Sequence, residues 1–171
     1  MRSIQTQGIA PLSKGDIHDM LNKHIPYRLY LLRDGYWPSW STEKSQQTNQ
    51  AFESGAVSGR VLLSFLGLKC GRKVVQLEPD QVHDLVDKKT TDDVKAPDMG
   101  GKFVQINALP AADRHSLAVF YRGVNKASAH FTIGSDHELN LQSYAAAAPI
   151  IFRLMAECFP NNAESWPKWR K

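Results

Sequence analysis

Hydrophobic residues recur at three- and four-residue intervals through much of the chain, which is the period of an α-helix. The same spacing predicts helices over 14–34, 42–67, 110–132 and 136–159. In the third of these, one face is apolar and comprises Leu117, Phe120, Tyr121, Val124, Ala127, Ser128 and Phe131. The prediction is an all-α bundle of four main helices, with antiparallel neighbours across the short links.

Residues with known preferences for helix ends support these boundaries. Ser13 with Asp16, and Ser135 with Glu138, have the spacing of a capping box, in which two residues at a helix start satisfy each other's polar groups. Gly67 is predicted to end the second helix because glycine readily adopts the left-handed conformation found there.

Two prolines fall inside predicted helices. Proline has no backbone N–H and its ring crowds the preceding turn, so a proline inside a helix interrupts it. We therefore expect Pro26 to kink the first helix or divide it in two, and Pro149 to kink the last helix.

The segment 68–109 has a different character, since it is charged and rich in turn-forming residues. It is predicted to be an irregular insertion containing a strand over 74–77, a short helix over 80–87 and a second strand over 102–109. The two strands would pair as a small β-hairpin. The predicted organisation is a loose N-terminal arm over 1–12, one helical domain over 13–160, and a basic, aromatic C-terminal tail over 161–171.

Composition narrows the class of protein. The chain has 171 residues, of which 42% are hydrophobic and 22% charged, with a net charge of +4, as in ordinary soluble globular proteins. The N-terminal segment lacks the apolar core of a signal peptide, and no apolar run is long enough to cross a bilayer. Two cysteines without metal-binding or disulfide-framework spacing indicate a reducing compartment, so we predict a cytoplasmic protein with no membrane partner.

Motifs for cofactors, metals and DNA are missing from the sequence. There is no glycine-rich phosphate-binding motif and no DNA-specific motif, so no cofactor is predicted. His115, His130, Asp136 and His137 are metal-ligand residue types. Their spacing does not place a pair on one helical face, and we predict no metal site.

The face of the 110–132 helix opposite its apolar side is cationic and carries His115, Arg122, Lys126 and His130. A histidine can transfer a proton near neutral pH, and a neighbouring cation can neutralise charge on a phosphate. The alternative interpretation is a solvated surface with no chemical role.

Arg122, Asn125, Lys126 and His130, on one helix of an all-helical domain, resemble the HEPN superfamily. Its ribonuclease members carry an arginine and a histidine separated by four to six residues near a helix end. The resemblance implies a dimer that cleaves RNA across a cleft without a metal, with these four residues as the catalytic set. Seven residues separate Arg122 from His130, and the residue at the four-residue spacing is Asn125 where the family has arginine. The hypothesis therefore includes an inactive relative of these ribonucleases.

Surfaces for a protein partner are predicted in two places. Gly55 and Gly59 lie one turn apart on the second helix, where they allow another backbone to approach, either within the chain or in a homodimer. Trp37, Trp40, Trp166 and Trp169 lie in aromatic segments that would either bind a partner or pack on their own domain. The predicted function is a non-catalytic intracellular interaction protein; the alternative is the HEPN-like ribonuclease acting on RNA. The sequence leaves open whether the protein is an enzyme.

Overall fold

The structure is a computed structural model that describes residues 11–36, 46–70, 82–84, 93–129 and 140–169. Its α-helices are α1 (Lys14–Asp19), α2 (Ile25–Asp34), α3 (Gln46–Phe65), α4 (Ala111–Ala129), α5 (Leu141–Cys158) and α6 (Pro160–Ala163). A π-helical turn (Met20–His24) joins α1 to α2, and two 3-10 turns occur at Ala96–Met99 and Ile106–Ala108. The strands are β1 (Leu68–Cys70) and β2 (Val82–Asp84). The predicted all-α fold class is confirmed.

The first helical segment runs without a break through its proline. The predicted capping box at Ser13 and Asp16 is confirmed, with the Asp16 N–H donating to the Ser13 hydroxyl over 3.1 Å. Ahead of Pro26, the Ile25 N–H donates to the carbonyl of Met20, five residues back. Pro26 follows in the first turn of α2. The interruption predicted at Pro26 is thus a π turn between two short α-helices, α1 and α2, in a helical segment that stays continuous.

The insertion between α3 and α4 differs from the prediction in two respects. Val82–Asp84 is a strand that pairs antiparallel with Leu68–Cys70, so the helix predicted over 80–87 is wrong. The segment 102–109 is not a strand. It contributes one backbone hydrogen bond, from Val104 N–H to the Leu66 carbonyl, and then a 3-10 turn. The strand predicted over 74–77 lies outside the described residues.

Glycine ends α3 as predicted, and an asparagine begins α5. Gly67 has a φ of 88°, the left-handed conformation typical of helix ends, and follows α3. Asn140 is extended, and its side chain accepts the Ser143 N–H over 2.8 Å, so α5 begins later than the predicted residue 136. α5 continues through Pro149. The capping pair predicted at Ser135 and Glu138 lies outside the described residues.

The helices share one hydrophobic core, and Tyr144 of α5 lies at its centre. Its ring packs against Tyr36 and Phe52 and contacts Phe120 edge to face, with ring centroids 5.1 to 6.1 Å apart. Its hydroxyl donates to the Leu32 carbonyl over 2.6 Å. A side chain from α5 therefore ties together α2, α3 and α4.

The apolar face predicted for α4 is buried at every position whose side chain is described. Leu117, Phe120, Tyr121 and Val124 all lie in the core. Ala118, placed on the opposite face by the sequence pattern, is buried as well. Near the start of α4, Asp113 pairs with Arg153 of α5 over 2.6 Å. None of the described helices has the length and apolar character needed to cross a membrane.

Candidate functional site

A cavity with a volume of about 480 Å³ lies between α2 and α3. We call it the α2–α3 groove. Side chains from three separate stretches of chain line it: the π turn with α2, the second half of α3, and the segment that precedes the first 3-10 turn. The lining residues are Met20, His24, Ile25, Arg28, Arg60, Val61, Leu62, Ser64, Phe65, Asp93, Val94 and Lys95.

The π turn and α2 form the first wall of the groove. His24 and Arg28 lie four residues apart and therefore on one helical face, one turn above the other. Ile25 beside them is buried and contributes to the apolar floor. π turns inside helices occur frequently at functional sites. Here the turn supplies Met20 and His24 to the groove.

The second half of α3 forms the opposite wall. Leu62 and Phe65 are buried and continue the apolar floor, whereas Val61 is 38% exposed and leaves the groove open to solvent on this side. The Arg60 guanidinium lies over the ring of Tyr121 in α4, 5.8 Å from its centroid. The Tyr121 and Ser64 hydroxyls are 3.2 Å apart. Tyr121 thus contacts two residues of this wall.

The third wall is the short segment 93–95, which is anchored at its end. The Lys95 N–H donates to the Asp98 carboxylate over 2.7 Å, and Ala96 and Met99 of the following 3-10 turn are buried. The Lys95 ammonium pairs with the Asp93 carboxylate over 3.3 Å. The segment therefore brings one cation and its own counter-ion to the rim.

The rim of the α2–α3 groove carries excess positive charge. The described lining residues include three cations, Arg28, Arg60 and Lys95, and one carboxylate, Asp93, which pairs with Lys95. Among the described residues, no carboxylate pairs with Arg28 or Arg60. Arginine is always charged and presents several donors in a plane that matches a carboxylate or a phosphate. An apolar floor beneath unpaired arginines is suited to a ligand with both anionic and apolar groups.

A second, smaller cavity of about 220 Å³ lies between the first half of α4 and the start of α5. It is lined by His115, Ser116, Val119, Asn140, Gln142, Ser143 and Ala146. Asn140 is already used to cap α5. Among the lining residues, Val119 and Ala146 are apolar, and the cavity has less than half the volume of the α2–α3 groove. It therefore offers a ligand little surface to bury.

Of the predicted catalytic residues, Arg122 and Asn125 have described side chains, and neither lines the α2–α3 groove or the second cavity. Arg122 and Asn125 are partly buried, and one terminal nitrogen of Arg122 is buried without a hydrogen-bond partner among the described residues. The Lys126 side chain and the whole of His130 lie outside the described residues. The ribonuclease hypothesis stays a prediction.

Gly55 and Gly59, the glycines predicted to let another backbone approach, are packed against other parts of the same chain. A methyl group on Gly55 would lie 2.6 Å from the Leu31 carbonyl oxygen and against the Tyr144 hydroxyl. On Gly59 it would lie within 3.0 Å of Phe120 and Leu32. Of the two alternatives that the sequence left open for these glycines, close packing within the chain is the one that the contacts of Gly55 and Gly59 match.

The C-terminal aromatic residues also pack on their own domain. Trp166 is buried, and its indole N–H donates to the Leu21 carbonyl over 2.9 Å. Trp169 packs against Tyr36 and Phe152. For Trp166 and Trp169, packing on their own domain is therefore the alternative that these contacts match. Trp37 and Trp40 lie outside the described residues.

The described residues include no group of three or more histidine, cysteine or acidic side chains placed to hold a metal ion. Cys158 is a free, half-buried thiol whose S–H donates to the Lys102 carbonyl over 3.3 Å. Burial raises its pKa. The thiol is therefore mostly protonated at neutral pH and is a poor nucleophile.

Sequence reasoning did not find the α2–α3 groove, although two residues signalled it. On α3, Ala56, Leu63 and Leu66 are buried and form an apolar stripe with Phe52, which packs against the core. Val57 and Val61 lie outside this stripe, one turn apart on the solvent side, and both are exposed. Apolar residues repeated on a polar face are typical of a surface that another molecule covers.

Comparison with protein-family models, with curated proteins and with solved structures found no match for this chain.

Proposed function

We propose that the protein is a non-catalytic binding protein and that a segment of a partner protein occupies the α2–α3 groove. The observation that carries this proposal is the combination of an open apolar floor with two arginines that have no carboxylate partner among the described residues. The groove volume of about 480 Å³ lies within the range of roughly 300–1,000 Å³ that is usual for binding pockets.

The shape of the groove supports a macromolecular partner over an enclosed small molecule. Small-molecule sites usually bury most of their ligand's surface. Val61 leaves this groove open, and Val57, one turn earlier on α3, extends the exposed apolar strip beyond the cavity. A strip of this kind matches the way a peptide lies along a groove and anchors its apolar side chains at successive turns.

The experiment compares two single substitutions of equally exposed residues. Val61 and Leu141 are both 38% exposed, but only Val61 lines the groove. A peptide library displayed on phage is selected against the unmodified protein, and the enriched peptides are tested against Val61→Glu and Leu141→Glu. We expect Val61→Glu to weaken binding at least tenfold, because it puts a charge on the apolar wall, and Leu141→Glu to leave it unchanged.

Thermal unfolding of both variants checks that the fold is kept. A selection that yields no binders contradicts the proposal, and so do binders that tolerate Val61→Glu as well as they tolerate Leu141→Glu.

A further inference from the structure

We infer that the α2–α3 groove selects an acidic amphipathic helix, in which apolar side chains on one face are flanked by glutamates or aspartates. This inference rests on the proposed function, since it names the chemistry of the partner at the same site.

The cations stand on all three walls of the groove, with the two arginines on opposite walls. Arg28 belongs to α2 and Arg60 to α3, and Lys95 comes from the third wall. A helix whose apolar side chains enter the groove has two flanks, one toward each wall. Acidic residues on these flanks would meet Arg28 on one side and Arg60 on the other, which gives charge-assisted hydrogen bonds on both.

The arginines are suited to an incoming carboxylate because they make no competing ion pair with a described residue. Elsewhere in the molecule a cation with an acid nearby is paired, as Arg153 is with Asp113 and Glu157, and Lys23 with Asp19. Arg60 instead lies over the Tyr121 ring, which restrains its side chain while its donors stay available. A restrained arginine loses less conformational freedom on binding than one that is fully mobile.

An apolar helix without acidic residues would leave the two guanidinium groups next to a less polar surface with no compensating charge. Burying an unpaired charge is unfavourable, so the groove should discriminate by charge as well as by shape. A basic helix would suffer repulsion from the same two arginines. Asp93 does not offset this repulsion, because Lys95 already neutralises it.

The test uses two synthetic helical peptides of equal length with the same leucine face. One carries glutamate at the flanking positions, and the other carries lysine at each of them. Fluorescence anisotropy measures the dissociation constant of each for the full chain. We expect the glutamate peptide to bind at least tenfold more tightly than the lysine peptide, and to weaken several-fold when the salt concentration rises, because opposite charges are screened.

The double variant Arg28→Glu/Arg60→Glu should lose at least tenfold in affinity for the glutamate peptide and gain affinity for the lysine peptide. Its matched control is Lys14→Glu/Lys102→Glu, which changes the net charge equally at two exposed lysines outside the groove. The control should keep the peptide preference, so that an effect of total charge is separated from an effect of the groove.

The outcomes separate this inference from the proposed function. Equal binding of both peptides that still depends on Val61 overturns the acidic partner and leaves the groove as a binding site. Binding of neither peptide overturns the inference, and so does glutamate-peptide binding that survives Arg28→Glu/Arg60→Glu. Displacement of the glutamate peptide by a single-stranded RNA through the same two arginines overturns it in favour of a nucleic acid.

Discussion

α2 and α3 are in backbone contact at one end and separated at the other. At the closed end, a methyl group on Gly35 would lie 2.9 Å from the Gly55 Cα, so the two helices meet with no side chain between them. At the open end, Arg28 and Arg60 line the α2–α3 groove. One pair of helices therefore provides a tight structural junction and an exposed apolar surface.

The difference follows from side-chain size along the two helices. Glycine lets helix axes approach, and large side chains keep them apart. At the closed end, Tyr144 packs over the junction and its hydroxyl satisfies the Leu32 carbonyl, in the last turn of α2, where carbonyls lack an intrahelical donor. Stability should therefore be sensitive to substitution at the closed end and insensitive at the open end, and binding should show the reverse.

The largest expected effect is that of Gly55→Ala. In an exposed helix this change stabilises by about 1 kcal/mol. Here the added methyl group would overlap the Leu31 carbonyl and the Tyr144 hydroxyl, so the helices must separate. We expect the free energy of unfolding, measured by urea denaturation, to fall by about 2–3 kcal/mol.

Gly15→Ala in α1 is the matched control for Gly55→Ala. A methyl group on Gly15 would make only an ordinary contact, 3.6 Å from the Ser13 hydroxyl oxygen. This variant should be as stable as the parent or more stable, by up to about 1 kcal/mol. If Gly55→Ala behaves in the same way, the closed end is not a close-packed junction.

A smaller loss of stability is expected for Tyr144→Phe. The change leaves the aromatic packing in place but removes the hydroxyl that donates to the Leu32 carbonyl. A buried carbonyl left without its partner costs about 1–2 kcal/mol. Tyr30→Phe, at an exposed tyrosine of α2, should change the free energy of unfolding by less than about 0.5 kcal/mol.

The dependence of stability on pH above about 10 provides a second, independent test of Tyr144→Phe. Burial, with a lesser contribution from the negative charge of Asp34, raises the pKa of Tyr144 far above its ordinary value of 10.0. The unfolded chain therefore loses this proton at lower pH than the folded chain does, and stability should fall as the pH rises above about 10. Tyr144→Phe should make that fall less steep; an unchanged slope would contradict a buried, protonated Tyr144.

The smallest effect on stability is expected for Arg28→Glu/Arg60→Glu. Neither arginine pairs with a described carboxylate, so the fold loses no ion pair when both are replaced. The fold does lose the contact of Arg60 with the Tyr121 ring, so we expect the free energy of unfolding to fall by less than about 1 kcal/mol, measured by urea denaturation. A loss as large as that of Gly55→Ala would mean that the open end contributes to the core, and the comparison between the two ends would fail.

Much of the fold could be predicted from local pattern. The buried face of α4, with Leu117 and Phe120, follows from the helical period, since a helix in a domain of this size must bury its apolar side. The cap at Ser13 and the end of α3 at Gly67 follow from the preferences of single residues. The response of the chain to Pro26 was less predictable, because a π turn and a kink both accommodate a missing N–H.

The glycines show where local pattern stops being sufficient. Two glycines one turn apart indicate that a backbone passes closely, but they do not say whose backbone it is. The structure assigns Gly55 to contact with α2 and Gly59 to contact with Phe120 of α4 and Leu32 of α2. The same limit applies to Trp166, whose partner, the Leu21 carbonyl, is distant in sequence.

The sequence by itself determined the helical period, the cap at Ser13, the end of α3 at Gly67 and the all-α class, because each depends on interactions between residues at most a few positions apart. Only the tertiary structure decided the pairing of β1 with β2 and the assembly of Arg28, Arg60 and Lys95 around one groove. These residues lie on separate stretches of chain. Their proximity depends on how far apart the packed helices stand, which is set by side-chain volumes throughout the core.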